Sequence, residues 1–214
     1  MKKSIRLLII LTFFLGTSLL NAQPNIGVYA GVNSSKLNGD SPEKASYESL
    51  PGLNAGANLD FKVGKTVWIS VQPSYSREGT KISYTIRDKY EPVDSVRIRL
   101  NYVSVPVILK VSFINDRFYA IGGFETAYLL NNTVSSHDEE QDVDLNVSQW
   151  NLAIQFGIGL HIPVGFPRLY VELRYSQGVL NLTDEPLTKS YVPRVKTAGF
   201  TLLTGIEIPL KKMK

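Results

Sequence analysis

Along residues 150–164 the chain reads WNLAIQFGIGLHIPV, and every second residue is large and apolar. Trp150, Leu152, Ile154, Phe156, Ile158, Leu160 and Ile162 alternate with Asn151, Ala153, Gln155, Gly157, Gly159 and His161, which are small or polar. Successive side chains of a strand point to opposite faces, so this period predicts a long strand with one greasy and one polar face. Strand character recurs at roughly 25–37, 52–63, 66–77, 100–113, 117–130, 146–163, 168–180 and 196–210. In the second, Leu53, Ala55, Ala57, Leu59, Phe61 and Val63 oppose Asn54, Gly56, Asn58, Asp60 and Lys62. In the fourth, Val103, Val105, Val107, Leu109 and Val111 oppose Tyr102, Ser104, Pro106 and Lys110. In the seventh, Leu169, Val171, Leu173 and Tyr175 oppose Tyr170, Glu172, Arg174 and Ser176. The first, fifth and eighth segments are more mixed, and no helical period of comparable length appears.

The connections alternate too. Gly64-Lys65, Ile114-Asn115-Asp116 and Val164-Gly165-Phe166-Pro167 are short and made of turn-forming residues. The other four, about 38–51, 78–99, 131–145 and 181–195, are long and hydrophilic. An up-and-down meander places all the short ones at one end and all the long ones at the other. Transmembrane barrels have this asymmetry, with short periplasmic turns and longer external loops. A tilted spanning strand needs about 9–11 residues, which each segment supplies. The expected fold is therefore all-β, an eight-stranded antiparallel up-and-down transmembrane β-barrel with short periplasmic turns and long extracellular loops.

A soluble barrel of lipocalin type would show the same alternation with its apolar face turned inward. Its solvated face would be dense in Lys and Glu. Here the polar faces carry Asn, Gln, Ser, Gly and Ala, and the charges gather in the long connections, among them Glu43, Lys44, Arg87, Asp88, Asp138 and Glu139. Small polar groups suit a narrow packed interior, so the apolar face is expected to meet lipid. A soluble periplasmic barrel is the architectural alternative. Tyr75, Tyr102, Tyr128, Trp150 and Tyr175 near the long-loop ends, with Phe61, Phe113, Phe118 and Phe166 near the short turns, suggest two interfacial girdles.

The chain begins MKKSIRLLIILTFFLGTSLLNAQ: a basic start, an apolar run and a small-residue end. That is the layout of a secretory signal peptide over 1–22, leaving 23–214 as a single barrel domain. Its removal takes three of the 23 basic residues and none of the 19 acids, leaving a net charge near +1. No nucleic-acid partner is indicated. With no cysteine there is no disulfide framework and no lipid-accepting thiol. Beyond residue 23 no apolar run is long enough for a spanning helix.

Four stretches in order, GVYAGVNSSKL, SVQPSYSREG, LNYVSVPVILK and ELRYSQGVLNL, together with the signal ending NAQ, resemble the PorT-like outer-membrane β-barrel family of Bacteroidota. The likeness covers essentially all of 24–214. It implies a single-chain barrel in the cell outer membrane but little about activity, one branch being tied to protein secretion and gliding machinery. The chain ends IEIPLKKMK rather than on the terminal aromatic familiar in such barrels.

Glu172 and Arg174 lie two apart, so they share a face, which parity makes interior. Glu125, Lys110 and His161 are candidates to join them. A charge inside so narrow a barrel must be paired, because desolvating it alone is costly. The expectation is an ion-pair plug that fills the lumen; the alternative is a gate or polar relay for a small permeant. Ser135-Ser136-His137-Asp138-Glu139 gathers triad residue types, but triads are assembled from separate elements, so a solvated acidic loop is expected. Asp142, Asp144 and Asn146 begin like a calcium loop, yet Val147 stands at the Gly position and Ala153 at the terminal Glu. No catalytic, metal-binding or cofactor-binding residues emerge, and no enzyme or small-molecule substrate is expected. The expected partners are outer-membrane lipid and a protein met through the extracellular loops, with 78–99 and its Tyr84 and Tyr90 as the best surface. A narrow pore or secretion-accessory component is the alternative role.

Overall fold

Alternation of the kind seen at 150–162 leaves a strand with one face to bury and a ladder of backbone donors and acceptors to pair. The computed structural model describes residues 24–39, 45–84, 95–136, 139–141, 147–162, 165–182 and 195–210. The leader over 1–22 lies outside the described residues. Ten strands follow in order: β1 (Pro24–Gly39), β2 (Ala45–Lys62), β3 (Val67–Val71), β4 (Ser74–Tyr84), β5 (Ser95–Phe113), β6 (Phe118–Ser136), β7 (Glu139–Gln141), β8 (Trp150–Ile162), β9 (Arg168–Gly178) and β10 (Val195–Pro209). All pairings are antiparallel. β1 pairs with both β2 and β10, and β5 with β6, so the sheet closes on itself.

Eight spanning strands are legible in this ring because β3 and β4 act as one. Both pair with β2 and β5, and the interruption falls at Gln72–Pro73. Proline has no N–H to give the ladder. Its carbonyl still accepts from Ala57 N at 3.0 Å, and Gln72 N donates to the Pro106 carbonyl at 3.0 Å. The face pattern survives the break, with Ser70, Gln72, Ser74 and Ser76 all buried. β7 is a short arm on the far end of β6.

The long connections expected at 38–51, 78–99 and 131–145 are in good part strand. β2 begins at Ala45, β4 runs to Tyr84, β5 starts at Ser95 and β6 continues to Ser136. Hydrogen bonding between neighbours carries these hairpins past the apolar segments, where polarity alone had suggested loop. Of the expected 78–99 surface only 85–94, with Tyr90, lies outside the described residues, as do His137, Asp138 and Asp142–Asn146. Glu48 at the start of β2 takes the Ser83 hydroxyl at 2.7 Å and the Lys81 ammonium at 3.2 Å. Those contacts, Ser83 first, hold its carboxyl below the usual range. The rim is uneven: β5 and β6 stay paired up to Arg97 and Ser135, whereas β6 and β8 stop at Tyr128 and Trp150.

At the opposite end the turns are tight. Between β5 and β6, Ile114, Asn115 and Asp116 all take positive φ (50°, 55° and 59°), and Arg117 N donates to the Ile114 carbonyl at 3.1 Å. Asn and Asp tolerate that conformation; a β-branched Ile adopts it only under constraint.

Apolar side chains face outward on every spanning strand. Val28, Leu53, Val105, Phe124, Ile154, Phe156, Ile158, Leu173 and Leu202 are all exposed, Ile158 by 62%. Asn151, Ala153 and Gln155 on the other face of β8 are buried. A water-soluble barrel is the reverse of this arrangement, and such a belt in water would aggregate. The outward run Val103–Phe113 on β5 spans roughly 25 Å at about 3.3 Å per residue and a tilt near 40°, the height of a transmembrane apolar band. Cross-strand aromatic pairs bound it: Tyr128 with Trp150 (5.1 Å between centroids) and Tyr175 with Phe200 (5.0 Å) above, Phe113 with Phe118 (6.2 Å) below. Tyr102 is not part of the upper girdle. Alternating with outward Val103 and lying opposite buried Ser76, it faces wholly into the lumen, where it packs with Leu100, Ala127 and Leu129.

If the apolar face meets lipid, Ile154→Arg should cost roughly 2–4 kcal/mol of membrane-folded stability. Gln155→Arg should be tolerated far better, because Gln155 already reaches the Glu125 carboxylate inside the lumen. The folded fraction in lipid, read as the unboiled gel shift, compares them; equal losses would sink the assignment.

Candidate functional site

The lumen is where the sequence concentrates its polar chemistry, and parity decides which side chains enter it. Glu172 and Arg174 of β9 both point in and are essentially buried, and Arg174 Nε donates to Glu172 Oε1. From this pair a run of hydrogen bonds crosses the barrel. Arg174 Nη2 donates to Gln72 Oε1 at 2.6 Å, and Gln72 Nε2 donates to Ser70 Oγ at 2.7 Å. The Ser70 hydroxyl donates to Asp60 Oδ1, whose other oxygen lies 2.8 Å from Lys110 Nζ. Lys110 also reaches Glu207 Oε1 at 3.3 Å. Asn58 Nδ2 donates to the same Glu207 oxygen at 3.4 Å and takes the Tyr170 hydroxyl, also at 3.4 Å.

Lys110 therefore belongs to a second ionic centre, with Asp60 and Glu207, joined to the first through Gln72 and Ser70. His161 sits at its edge, Nε2 3.8 Å from Glu207 Oε2, while Nδ1 lies 2.8 Å from the Asp116 carbonyl at the turn. Glu125 stands apart from both and takes the Gln155 amide. Asp60 and Glu207 were not singled out from the sequence. Asp60 was on the polar face of its segment; Glu207, flanked by Ile206 and Ile208, was hidden in a mixed one. Gln72 carries no charge, so nothing marked it as the bridge.

Tyrosine rings wall in both cations. Lys110 Nζ lies 5.6 Å from the Tyr119 ring centre and 5.5 Å from that of Tyr170, and Arg174 Cζ lies 5.9 Å from that of Tyr29. Contacts of this kind stabilise a desolvated cation. They also explain two lumen glycines. A Cβ on Gly159 would lie 2.2 Å from the Tyr119 ring, and one on Gly205 2.5 Å from the Tyr170 ring. The tyrosines lie flat across strands that must carry no side chain there.

Apolar groups fill what remains, which is why the first, fifth and eighth segments read as mixed. Tyr29, Tyr170 and Leu203 form one buried cluster, and Ile108, Tyr119 and Ile121 another. Three spaces among the described residues are small. A cavity of about 10 Å³ beside Asp60, Lys110 and Glu207, and two of about 10 and 20 Å³ near Glu78 and Thr197, each have room for about one water molecule. Among the described residues no group of three or more His, Cys, Asp or Glu is placed to hold a metal ion. The lumen carboxylates at Asp60, Glu172 and Glu207 are instead engaged by Lys110 and Arg174.

No curated protein matches the sequence. Among solved structures, the chain is similar to the attachment invasion locus protein Ail of Yersinia pestis, at 14% identity and a TM-score of 0.45, over 87% of this chain and 99% of that one. It is similar to Neisserial surface protein A, at 11% identity and a TM-score of 0.49, over 85% and 96%. It is also similar to OprG from Pseudomonas aeruginosa, at 12% identity and a TM-score of 0.37, over 88% and 97%. Residues 21–184 match the family described as outer membrane protein beta-barrel domain. With that match over most of its length, the chain belongs to the outer membrane protein beta-barrel domain family, and its apolar belt is the part that sits in the outer membrane.

Proposed function

We propose that this barrel is a closed, non-enzymatic element of the outer membrane whose lumen is an ionic plug and whose external end meets a protein partner. The observation that carries the reading is the hydrogen-bonded run from Glu172 and Arg174 through Gln72, Ser70 and Asp60 to Lys110 and Glu207. It joins five strands and the Gln72 connection across the lumen, and the cavity beside Asp60, Lys110 and Glu207 is water-sized. A permeant would have to displace paired charges, which is expensive in a desolvated interior. The hairpins that continue above the apolar belt supply surface for a partner.

A finer reading places the protein in the PorT-like branch of Bacteroidota barrels, with an accessory role in secretion. Its support is the ordered set GVYAGVNSSKL, SVQPSYSREG, LNYVSVPVILK and ELRYSQGVLNL. Chemical cross-linking on intact cells, followed by identification of the captured protein, tests it; recovery of a secretion component favours that branch.

Conductance tests the plug directly. Purified protein in a planar bilayer should show no steady open channel, and reproducible unitary steps would overturn the plug. Mutation of the ion pair gives a thermodynamic counterpart. Glu172→Gln or Arg174→Met alone leaves a buried charge unpaired and should lower stability in lipid by about 3–5 kcal/mol. The double variant should recover part of that loss. Single variants that unfold like the wild type while admitting small solutes would make Glu172 and Arg174 pore-lining groups instead.

A further inference from the structure

Above the apolar belt, the outward face of β4 and β5 gathers cations. Lys81 lies directly opposite Arg97 in the ladder, Gly79 opposite Arg99, and Arg77 opposite Asn101. Directly opposed residues share a face, with Cβ atoms about 4.5–5.5 Å apart, and like charges so placed are destabilising. Among the described residues one acid answers them: Glu48, 3.2 Å from Lys81 Nζ. Among the acids whose side chains are described, none pairs with Arg77, Arg97 or Arg99.

The height of the cluster is fixed. Tyr75, at the top of the apolar band, and Arg77 both donate to Asn101 Oδ1, at 2.9 and 3.0 Å, and Asn101 Nδ2 donates to Asn131 Oδ1 at 2.6 Å. This lattice holds Arg77 one step above the last lipid-facing aromatic, the level at which lipid headgroups begin. The feature is densest here: β8 and β9 present Trp150, Tyr175 and Gln177 at their outer ends, and β1 and β10 add Lys36 and Lys196, one on each strand. We propose that Arg77, Lys81, Arg97 and Arg99 form a seat for the phosphate-bearing headgroup of an outer-leaflet lipid. Planar guanidinium forks match phosphate oxygens two at a time, and a bound phosphate removes the repulsion between Lys81 and Arg97.

The test uses the full mature chain in nanodiscs of phosphatidylcholine containing increasing fractions of lipid A, a doubly phosphorylated lipid, with the unfolding midpoint as readout. Wild type should be stabilised in a saturable way. Arg97→Gln with Arg99→Gln should need about 25-fold more lipid A for half the effect, taking about fivefold for each basic residue near an anionic surface. The pair of Arg→Lys changes, which keeps charge but not the fork, should fall between. Lys62→Gln with Lys65→Gln, at the short-turn end, should titrate like wild type. Each variant must keep its unboiled gel shift, so that loss of fold is not scored as loss of binding. The proposal is overturned if the Arg97/Arg99 double variant titrates like wild type, or if millimolar inorganic phosphate alone reproduces the stabilisation. It is overturned equally if Glu140→Gln, on the β7 arm beside the Arg97–Ser135 pair, gives the same loss, which would make Arg97 a fastener for β7.

Discussion

Every feature of this molecule answers to one constraint: inside hydrocarbon a backbone N–H or C=O without a partner costs several kcal/mol. A sheet satisfies that demand only if it has no edge. Pairing β1 with β10 and β5 with β6 removes the edges and so fixes the number of walls, hence the width of the space they enclose. At eight spanning strands that space is about as wide as the side chains that enter it. The interior is therefore a core in the packing sense, although it is built largely from groups that a soluble core would exclude.

A core of that composition needs internal neutralisation. Lys110 and Arg174 are the cations among its acids, and each is given both a carboxylate and an aromatic face. Gln72 and Ser70 link the two centres, so the charges are held by a lattice rather than as isolated pairs. Networks in a low-dielectric site reward completeness, since each unsatisfied member costs more there than in water. Glycines opposite the tyrosines make room for it: Gly159 and Gly205 let Tyr119 and Tyr170 lie against the strands. Ionic and steric solutions are thus interlocked across β5, β6, β8, β9 and β10.

The alternation of residues carried most of this architecture on its surface. Facing of β8 and β9, and hence the interior position of Glu172 and Arg174, followed from parity alone, because parity is a local property of the strand. Where parity failed to inform, the reason is physical. Segments β1, β6 and β10 place Tyr29, Ile121 and Leu203 inside, so both faces are partly apolar and the period is blurred. At Leu100, Asn101 and Tyr102 three successive residues are buried, Asn101 by its partners Tyr75, Arg77 and Asn131, which no strict alternation anticipates. Strand ends were underestimated because the outer hairpins are held by cross-strand partners such as Glu48 and Lys81, and pairing of that kind is invisible to a window that reads one segment at a time. The joining of Lys110 to Asp60 and Glu207 brings together residues 50 and 97 positions apart, a matter of register rather than of sequence pattern.

The uneven rim has a further consequence. β6 stands seven residues past its last pair with β8 at Tyr128–Trp150 before its pairing with β5 ends at Ser135, so among the described residues strand pairing runs further out on one side than on the other. A cylinder cut level looks the same from every direction in the plane of the membrane; one cut on the slant has a heading. Rotation about the membrane normal then becomes a meaningful coordinate. Among the described residues, one bearing presents extended strand and the other the shorter ends joined by Ser148 N to the Leu182 carbonyl and Leu182 N to the Val195 carbonyl. For the described strands, bearing is therefore as much a part of their position in the bilayer as depth.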